Sequence, residues 1–159
     1  MALFLSRSTH KVDKKGRVSV PAAFRAALGE NIAKGIGLAK PLAGQNAIEA
    51  TPMERVEQRI AQLDTLQDDS LEFAAYAMLM MGSVRNVSID GDGRMILPED
   101  MMEDVGITDS AVFVGIGHTF QIWEQKALDA FTVEAQAIAR ESGGRLPSLA
   151  SLQKNGSAT

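Results

Sequence analysis

Residues 10–29 and 87–106 of this chain are two versions of one segment, and a chain built on such a repeat has few folds open to it. At an offset of 77, Asp13 aligns with Asp90, Gly16 with Gly93, Arg17 with Arg94, Pro21 with Pro98 and Gly29 with Gly106. The apolar positions follow the same offset: Val12 with Ile89, Val18 with Met95, Val20 with Leu97 and Leu28 with Val105. The shared unit is an apolar residue, Asp-x-x-Gly-Arg, an apolar-x-apolar alternation, Pro, and a short helix-like stretch closed by Gly. Each copy alone has few strands and an open sheet edge. The two are therefore expected to pack into one pseudo-symmetric unit.

Each part of the unit has a physical reading. Val12 and Ile89 are expected to end a short strand. Asp-x-x-Gly is turn chemistry, because the Asp carboxylate can accept from amides two residues on and Gly supplies a positive φ. Arg17–Val20 and Arg94–Leu97 read as the next strand, with the residues on either side of Ser19 facing one way. Pro21 and Pro98 stop the ladder and suit a helix start. Ala22–Leu28 and Glu99–Val105 are then two-turn helices, closed by Gly29 and Gly106. Further strands are expected at Ile36–Ala39, Ala47–Ala50, Ala111–Ile116 and Thr119–Trp123. Thr51-Pro52-Met53-Glu54 has capping-box spacing and predicts a helix carrying Val56, Ile60 and Leu63 on one side. After a polar break at Asp64–Asp69, a methionine-rich helix is expected over 70–81, and a last helix over 124–141. The methionines suit either a pliable partner surface or apolar filling of a core or subunit interface, and the spacing favours filling. The Ser/Gly/Pro/Asn-rich stretch 142–159 is expected to be a disordered tail.

Charge is distributed unevenly. The chain carries a net −4, which alone argues against a nucleic-acid binder. Yet residues 1–40 hold eight Lys or Arg against two acidic residues, a net +6. Residues 49–72 carry −5 and residues 90–109 carry −6. The first quarter is a basic segment on an otherwise acidic chain. No apolar run reaches the ~18 residues of a membrane-spanning helix. The opening Met1–Leu5 is too short and too weakly basic for a signal peptide. With no cysteine in the chain, a reducing, cytoplasmic setting is expected.

Catalytic and metal motifs do not assemble. His10 and His118 are 108 positions apart and no cysteine accompanies them, a poor donor set for zinc. Asp90-Gly91-Asp92-Gly93 opens like a calcium loop, but Arg94, Met95 and Met101 stand where ligands, a turn glycine and a bidentate Glu are needed. Gly115-Ile116-Gly117 is too short for a dinucleotide fingerprint. No nucleophile elbow or phosphate loop is present. No enzyme, metal or cofactor is expected.

The pair of Asp-x-x-Gly-Arg motifs closely resembles the MraZ family of bacterial transcriptional regulators. The matching residues are Phe4, His10, Asp13-Lys14-Lys15-Gly16-Arg17, Ser19–Ala22 and Phe24-Arg25, then Asp90–Pro98, Val114–Gly117 and Phe120–Glu124. Ser6 stands where the family usually has glycine, and Gln121 where it usually has glutamate. The resemblance covers about residues 1–140. It implies an α+β fold of two tandem AbrB-like swapped-hairpin β-α-β modules, forming one pseudo-symmetric small β-barrel flanked by helices. The modules would span 1–76 and 77–141. The resemblance further implies a homo-oligomeric ring, associated with the nucleoid, that binds short direct repeats in double-stranded DNA. Those repeats would lie ahead of its own operon in the division and cell-wall gene cluster. The alternative reading is an oligomeric, antitoxin-like protein-binding module or scaffold without a direct DNA role.

Five residues are the candidate DNA contacts: Arg7, Lys11, Lys14, Lys15 and Arg17. Lys14 and Lys15 are expected at the exposed turn, and a β-ribbon carrying Arg7, Lys11, Lys15 and Arg17 could lie in a major groove. Lys14 and Lys15 have no basic counterparts, since Gly91 and Asp92 occupy those places, and nothing local requires a lysine pair in a turn. Arg17 could reach phosphate or a base edge, or instead lock Asp13 across its own turn. Asp13, Gly16, Asp90, Gly93 and Arg94 are the candidate structural turn residues. At Arg94 the structural role is favoured, because the Asp-Arg pair recurs in the acidic copy.

Overall fold

The computed structural model describes residues 2–66 and 68–145. The expected tail therefore lies outside the described residues from 146 on; 142–145 form a turn after the last helix. The elements follow in chain order. Strand β1 (Arg7–Lys11) and β2 (Arg17–Ser19) lead to helix α1 (Ala22–Leu28) and a 3-10 helix over Gly29–Lys34. Strands β3 (Ile36–Ala39) and β4 (Ile48–Pro52) precede α2 (Met53–Asp64) and α3 (Leu71–Met81). The second copy supplies β5 (Arg85–Val87), β6 (Arg94–Ile96), α4 (Glu99–Val105), β7 (Ser110–Gly115) and β8 (Phe120–Trp123), and α5 (Gln125–Glu141) follows. The chain divides into two units, Met1–Gln125 and Lys126–Thr159. Both repeats lie in the first, and α5 makes up most of what is described of the second.

The sheet is built by exchange between the copies. Six strands run in the order β1-β7-β8-β4-β3-β5, and β2 and β6 form a separate two-stranded ladder. β1 of the first copy pairs antiparallel with β7 of the second, Arg7 opposite Val114 and Lys11 opposite Ser110. β5 of the second copy pairs antiparallel with β3 of the first, Leu38 opposite Arg85. β2 and β6 meet antiparallel with Val18 opposite Met95. Two backbone bonds repeat the exchange at the turns: Leu97 N–H donates to Gly16 O and Val20 N–H to Gly93 O, both at 2.9 Å. The expected closed barrel is not formed. β1 and β5 each have one ladder partner and remain at the sheet edges. The reason is the Asp-x-x-Gly turn, which carries each chain out of the six-stranded sheet so that β2 and β6 pair with one another. A single bridge, Val12 with Val18, joins the two sheets at that point.

Alternation decides which side chains are buried. Val18, Val20, Met95 and Leu97 are buried, while Ser19 and Ile96 between them face solvent. Phe4 and Phe24 of the first copy meet Phe113 and Phe120 of the second at centroid separations of 5.0–6.5 Å, mostly edge to face. Such pairs add to the burial of their area. α1 and α4 each start directly after proline, whose carbonyl accepts the first helical bonds.

One local expectation is corrected, and a second is narrowed to its subunit-interface form. Thr51 does not cap α2; it is a buried β4 residue opposite Gly37, and the residue before the helix is Pro52. The β3–β4 ladder claims Thr51, so the capping box stays unmade. Helix α3 does begin with a side-chain cap, Ser70 Oγ accepting from Phe73 N–H at 3.1 Å. It fills no core within this chain, however: none of its residues is buried, and Leu71 and Met78 are 83% and 65% exposed.

Ser6 adopts φ 68°, the left-handed region, as β1 begins. Phe4 is bonded on both sides to Gly117 and Gly115 N–H donates to Ser6 O, so the chain is held in this bend. A non-glycine residue there costs about 1–2 kcal/mol. Ser6→Gly is expected to raise the melting temperature by a few degrees; an unchanged or lower value in calorimetry refutes the strain.

Candidate nucleic-acid interface

The turn between β1 and β2 is organised by one carboxylate. Asp13 Oδ1 accepts from Lys15 N–H at 2.9 Å and from Arg17 N–H at 2.8 Å, and Gly16 N–H closes onto Asp13 O at 3.0 Å. Gly16 has φ 81°, and a Cβ there would sit 2.8 Å from Leu97 O of the other copy. The second turn repeats the arrangement. Asp90 Oδ1 accepts from Asp92 N–H at 2.9 Å and Arg94 N–H at 3.0 Å, and Gly93 has φ 78°. Hydrogen bonds from the Arg17 backbone amide to Asp13, and from that of Arg94 to Asp90, hold both carboxyls below their usual range. Those bonds belong to ionised carboxylates, so their contribution is present at neutral pH and fades as pH falls below the ordinary carboxylate range of about 4.

The two arginines differ. Arg17 Nε donates to Asp13 Oδ2 at 2.6 Å. Arg94 reaches Asp92 Oδ2 at 3.2 Å, while its buried Nε stands 3.7 Å from Asp90 Oδ2, within ion-pair reach but without a hydrogen bond. The closer pairing across the turn is thus in the basic copy. Both pairs face solvent, with side chains 37–48% exposed.

The other four candidate cations are exposed and in no ion pair among the described residues: Arg7, Lys11, Lys14 and Lys15. Elsewhere, Lys34 pairs with Glu57, Lys40 with Asp104 and Arg85 with Asp100. Arg7 and Lys11 point to one side of β1, and Ser8 and His10 to the other. His10 bonds Ser8 Oγ at 2.9 Å and packs edge-on against Phe113, and burial lowers its pKa. It is a structural residue of the strand.

β1 and β2 are paired only beside their turn, through the Val12–Val18 bridge and the bond from Asp13 N–H to Arg17 O, and beyond it they enter different sheets, so Arg7, Lys11, Lys15 and Arg17 do not share one long ribbon. Lys11 and Arg17 instead line one open cleft with Ser19, Arg94, Asp109 and Ser110. Lys14 and Lys15 edge a neighbouring hollow beside α4, and Arg7 lies four residues up the strand, about 14 Å from Lys11. Arg94, for which the sequence favours the role in its own turn, also lines the Lys11–Arg17 cleft. Arg25 is an omission. Its Nε donates to Val20 O at 3.1 Å, and its guanidinium lies where a Cβ on Gly93 would come within 2.7 Å. The signal for it was the 77-residue offset, which sets Arg25 against Met102, itself packed near Gly16.

The sequence model of one family, described as "MraZ protein, putative antitoxin-like", matches residues 3–44 and 80–143. The chain belongs to the MraZ family. A protein of Rickettsia akari named "Transcriptional regulator MraZ" is 40% identical over 141 residues, covering 89% of this chain and 94% of its own length. Relatives of the same name from Rickettsia rickettsii and Rickettsia africae are each 39% identical over the same coverage. The MraZ family is one of regulators rather than enzymes. Among the described residues no group of His, Cys, Asp and Glu is placed to hold a metal ion, and no helix is long and apolar enough to cross a membrane.

Proposed function

We propose that this chain is a DNA-binding transcriptional regulator that acts in the cytoplasm at the nucleoid. Its two repeats are AbrB-like swapped-hairpin modules, residues 1–76 and 77–141, and the first copy carries the DNA contacts. The observation that carries this reading is the set of unpaired cations. Arg7, Lys11, Lys14 and Lys15 lie close together in the chain on β1 and the turn after it, all are exposed, and none has a carboxylate partner among the described residues. A long, flexible, charged side chain held free of partners is ready to replace the counterions of a phosphate. Arg17 would reach the same DNA across the cleft it shares with Lys11. Asp13, Gly16, Asp90, Gly93 and Arg94 brace the turns, and the carboxylates of Asp90 and Asp92 repel phosphate from the second copy.

Four or five cations on one chain bind DNA weakly at physiological salt. A homo-oligomeric ring would present the same patch repeatedly and raise avidity by about 10²–10⁴. Short direct repeats, such as those expected ahead of its own operon in the division and cell-wall cluster, match a repeated patch. The apolar side of α3 bearing Leu71 and Met78 supports assembly, since a helix that is apolar all round needs cover.

The test is a binding titration on the DNA upstream of the chain's own gene at several salt concentrations. Lys14→Ala with Lys15→Ala is expected to weaken binding and to flatten the log–log salt slope by about 0.9 for each phosphate that is no longer neutralised. The melting temperature should stay nearly constant, because exposed lysines contribute little to stability. Arg94→Ala should act on melting more than on DNA affinity. Unchanged affinity in the double lysine variant would overturn the assignment of the first copy.

A further inference from the structure

The two copies are not equal, and their difference builds a cavity. The connection between β3 and β4 spans residues 40–47, whereas its counterpart between β7 and β8 spans only 116–119. The first copy also has two helices, α2 and α3, before the next repeat begins. The longer connection and α3 together line an open pocket of about 370 Å³ against the outer face of β3 and β4. That is the size of a small-molecule site. Val56, Tyr76, Leu79, Met80 and Val84 line it with apolar surface.

Its polar residues are unusual for a gap between a helix and a sheet. Gln121 and Thr51 line it at 5% and 7% exposure, and Gln45 Oε1 is buried there without a partner. Gln121 Oε1 already accepts from Trp123 Nε1 at 2.9 Å, which fixes the amide in place. Two half-buried charges of opposite sign, Glu49 and Arg59, line the same pocket. Neither is in an ion pair with the other or with any described residue, although Lys40 at the rim is paired with Asp104. A partly desolvated charge without a partner is costly. Glu49 lies directly opposite Gln121 across the β4–β8 ladder, so the carboxylate and the buried amide sit side by side.

We infer that this pocket binds a small zwitterion with an apolar body, of the amino-acid or dipeptide class. Arg59 holds its carboxylate and Glu49 its ammonium. Gln45, Thr51 and Gln121 bond its amide, and the α3 wall takes its side chain. A small ligand fits better than a second copy of the chain, because Gln121, Thr51 and Gln45 Oε1 are buried where they line the pocket. The most exposed residues of α3, Leu71 and Met78, lie on the other side of the helix from Tyr76 and Met80; Leu79, between the two sides, is itself 50% exposed.

The experiment is calorimetric titration of the full chain with leucyl-leucine, with its N-acetyl form and with its C-terminal amide. The zwitterion is expected to bind, and each blocked form to bind about tenfold or more weaker, the loss of one charge-assisted bond. In Glu49→Gln the N-acetyl form should lose no further affinity relative to the free dipeptide, and in Arg59→Met the same should hold for the amide. Equal binding of all three probes to the unaltered chain overturns the inference, as does no binding at millimolar concentration. Burial of Tyr76 by a neighbouring copy, read as fluorescence quenching protection that no dipeptide alters, overturns it too. The three-probe comparison on the unaltered chain decides even if a variant fails to fold.

Discussion

Neither residues 1–76 nor residues 77–159, expressed alone, should show a cooperative thermal transition. Cutting between the repeats strips β3 of β5 and β4 of β8, and it strips β7 of β1. It separates β2 from β6 altogether. The aromatic core divides as well, Phe4 and Phe24 leaving with one piece and Phe113 and Phe120 with the other. What remains is short strands with bare edges, a state prone to aggregation. Mixing the two pieces should restore the sheet signal in circular dichroism, since every missing ladder partner is then present. A half that melts cooperatively as a monomer would show that the exchange is dispensable.

Phe120→Ala should be the most damaging single change in the core. The ring is fully buried and lies 5.0 Å from Phe24, 5.1 Å from Phe4 and 5.9 Å from Phe113. Truncation removes the burial of the ring and leaves a cavity, at a cost of about 3–5 kcal/mol. That is a large share of the roughly 5–15 kcal/mol typical of a whole domain. Denaturant unfolding should register it as a lower midpoint at similar slope. Leu42→Ala, at a side chain 54% exposed, is the control and should shift stability by less than about 0.5 kcal/mol. Comparable losses at the two positions would mean that the aromatic cluster is not the centre of the core.

Much of the chain was legible because its punctuation is local. Proline before and glycine after set the limits of α1 and α4, and period-two alternation named Val18, Val20, Met95 and Leu97 as inward. The aligned Asp and Gly residues announced two turns with the same bonds. Which strand pairs with which was not legible, because β1 and β5 find their ladders in the opposite copy and no local pattern records that choice. For the same reason Lys11 and Arg17 were expected on one ribbon, where the structure seats them across a cleft between two sheets. Glu49 and Arg59 gave no signal in the sequence. They lie ten residues apart on a strand and a helix, and only the fold turns them into one cavity. Ser6 stands where the family usually has glycine, and only the structure shows why, with its φ of 68° in the left-handed region.

The exchange of strands sets the order of events on the ribosome. β3 emerges early, yet its partner β5 ends at Val87, and β4 waits for β8, which ends at Trp123. At about 5–20 residues per second, the roughly 85 residues separating β3 from β8 take about 4–17 s to synthesise. Throughout that interval the nascent first copy carries sheet edges and apolar side chains that nothing can yet cover. The sheet is therefore completed only once the second copy has been made, and the freshly made first copy depends on staying unpaired, or on being held by a chaperone, until then.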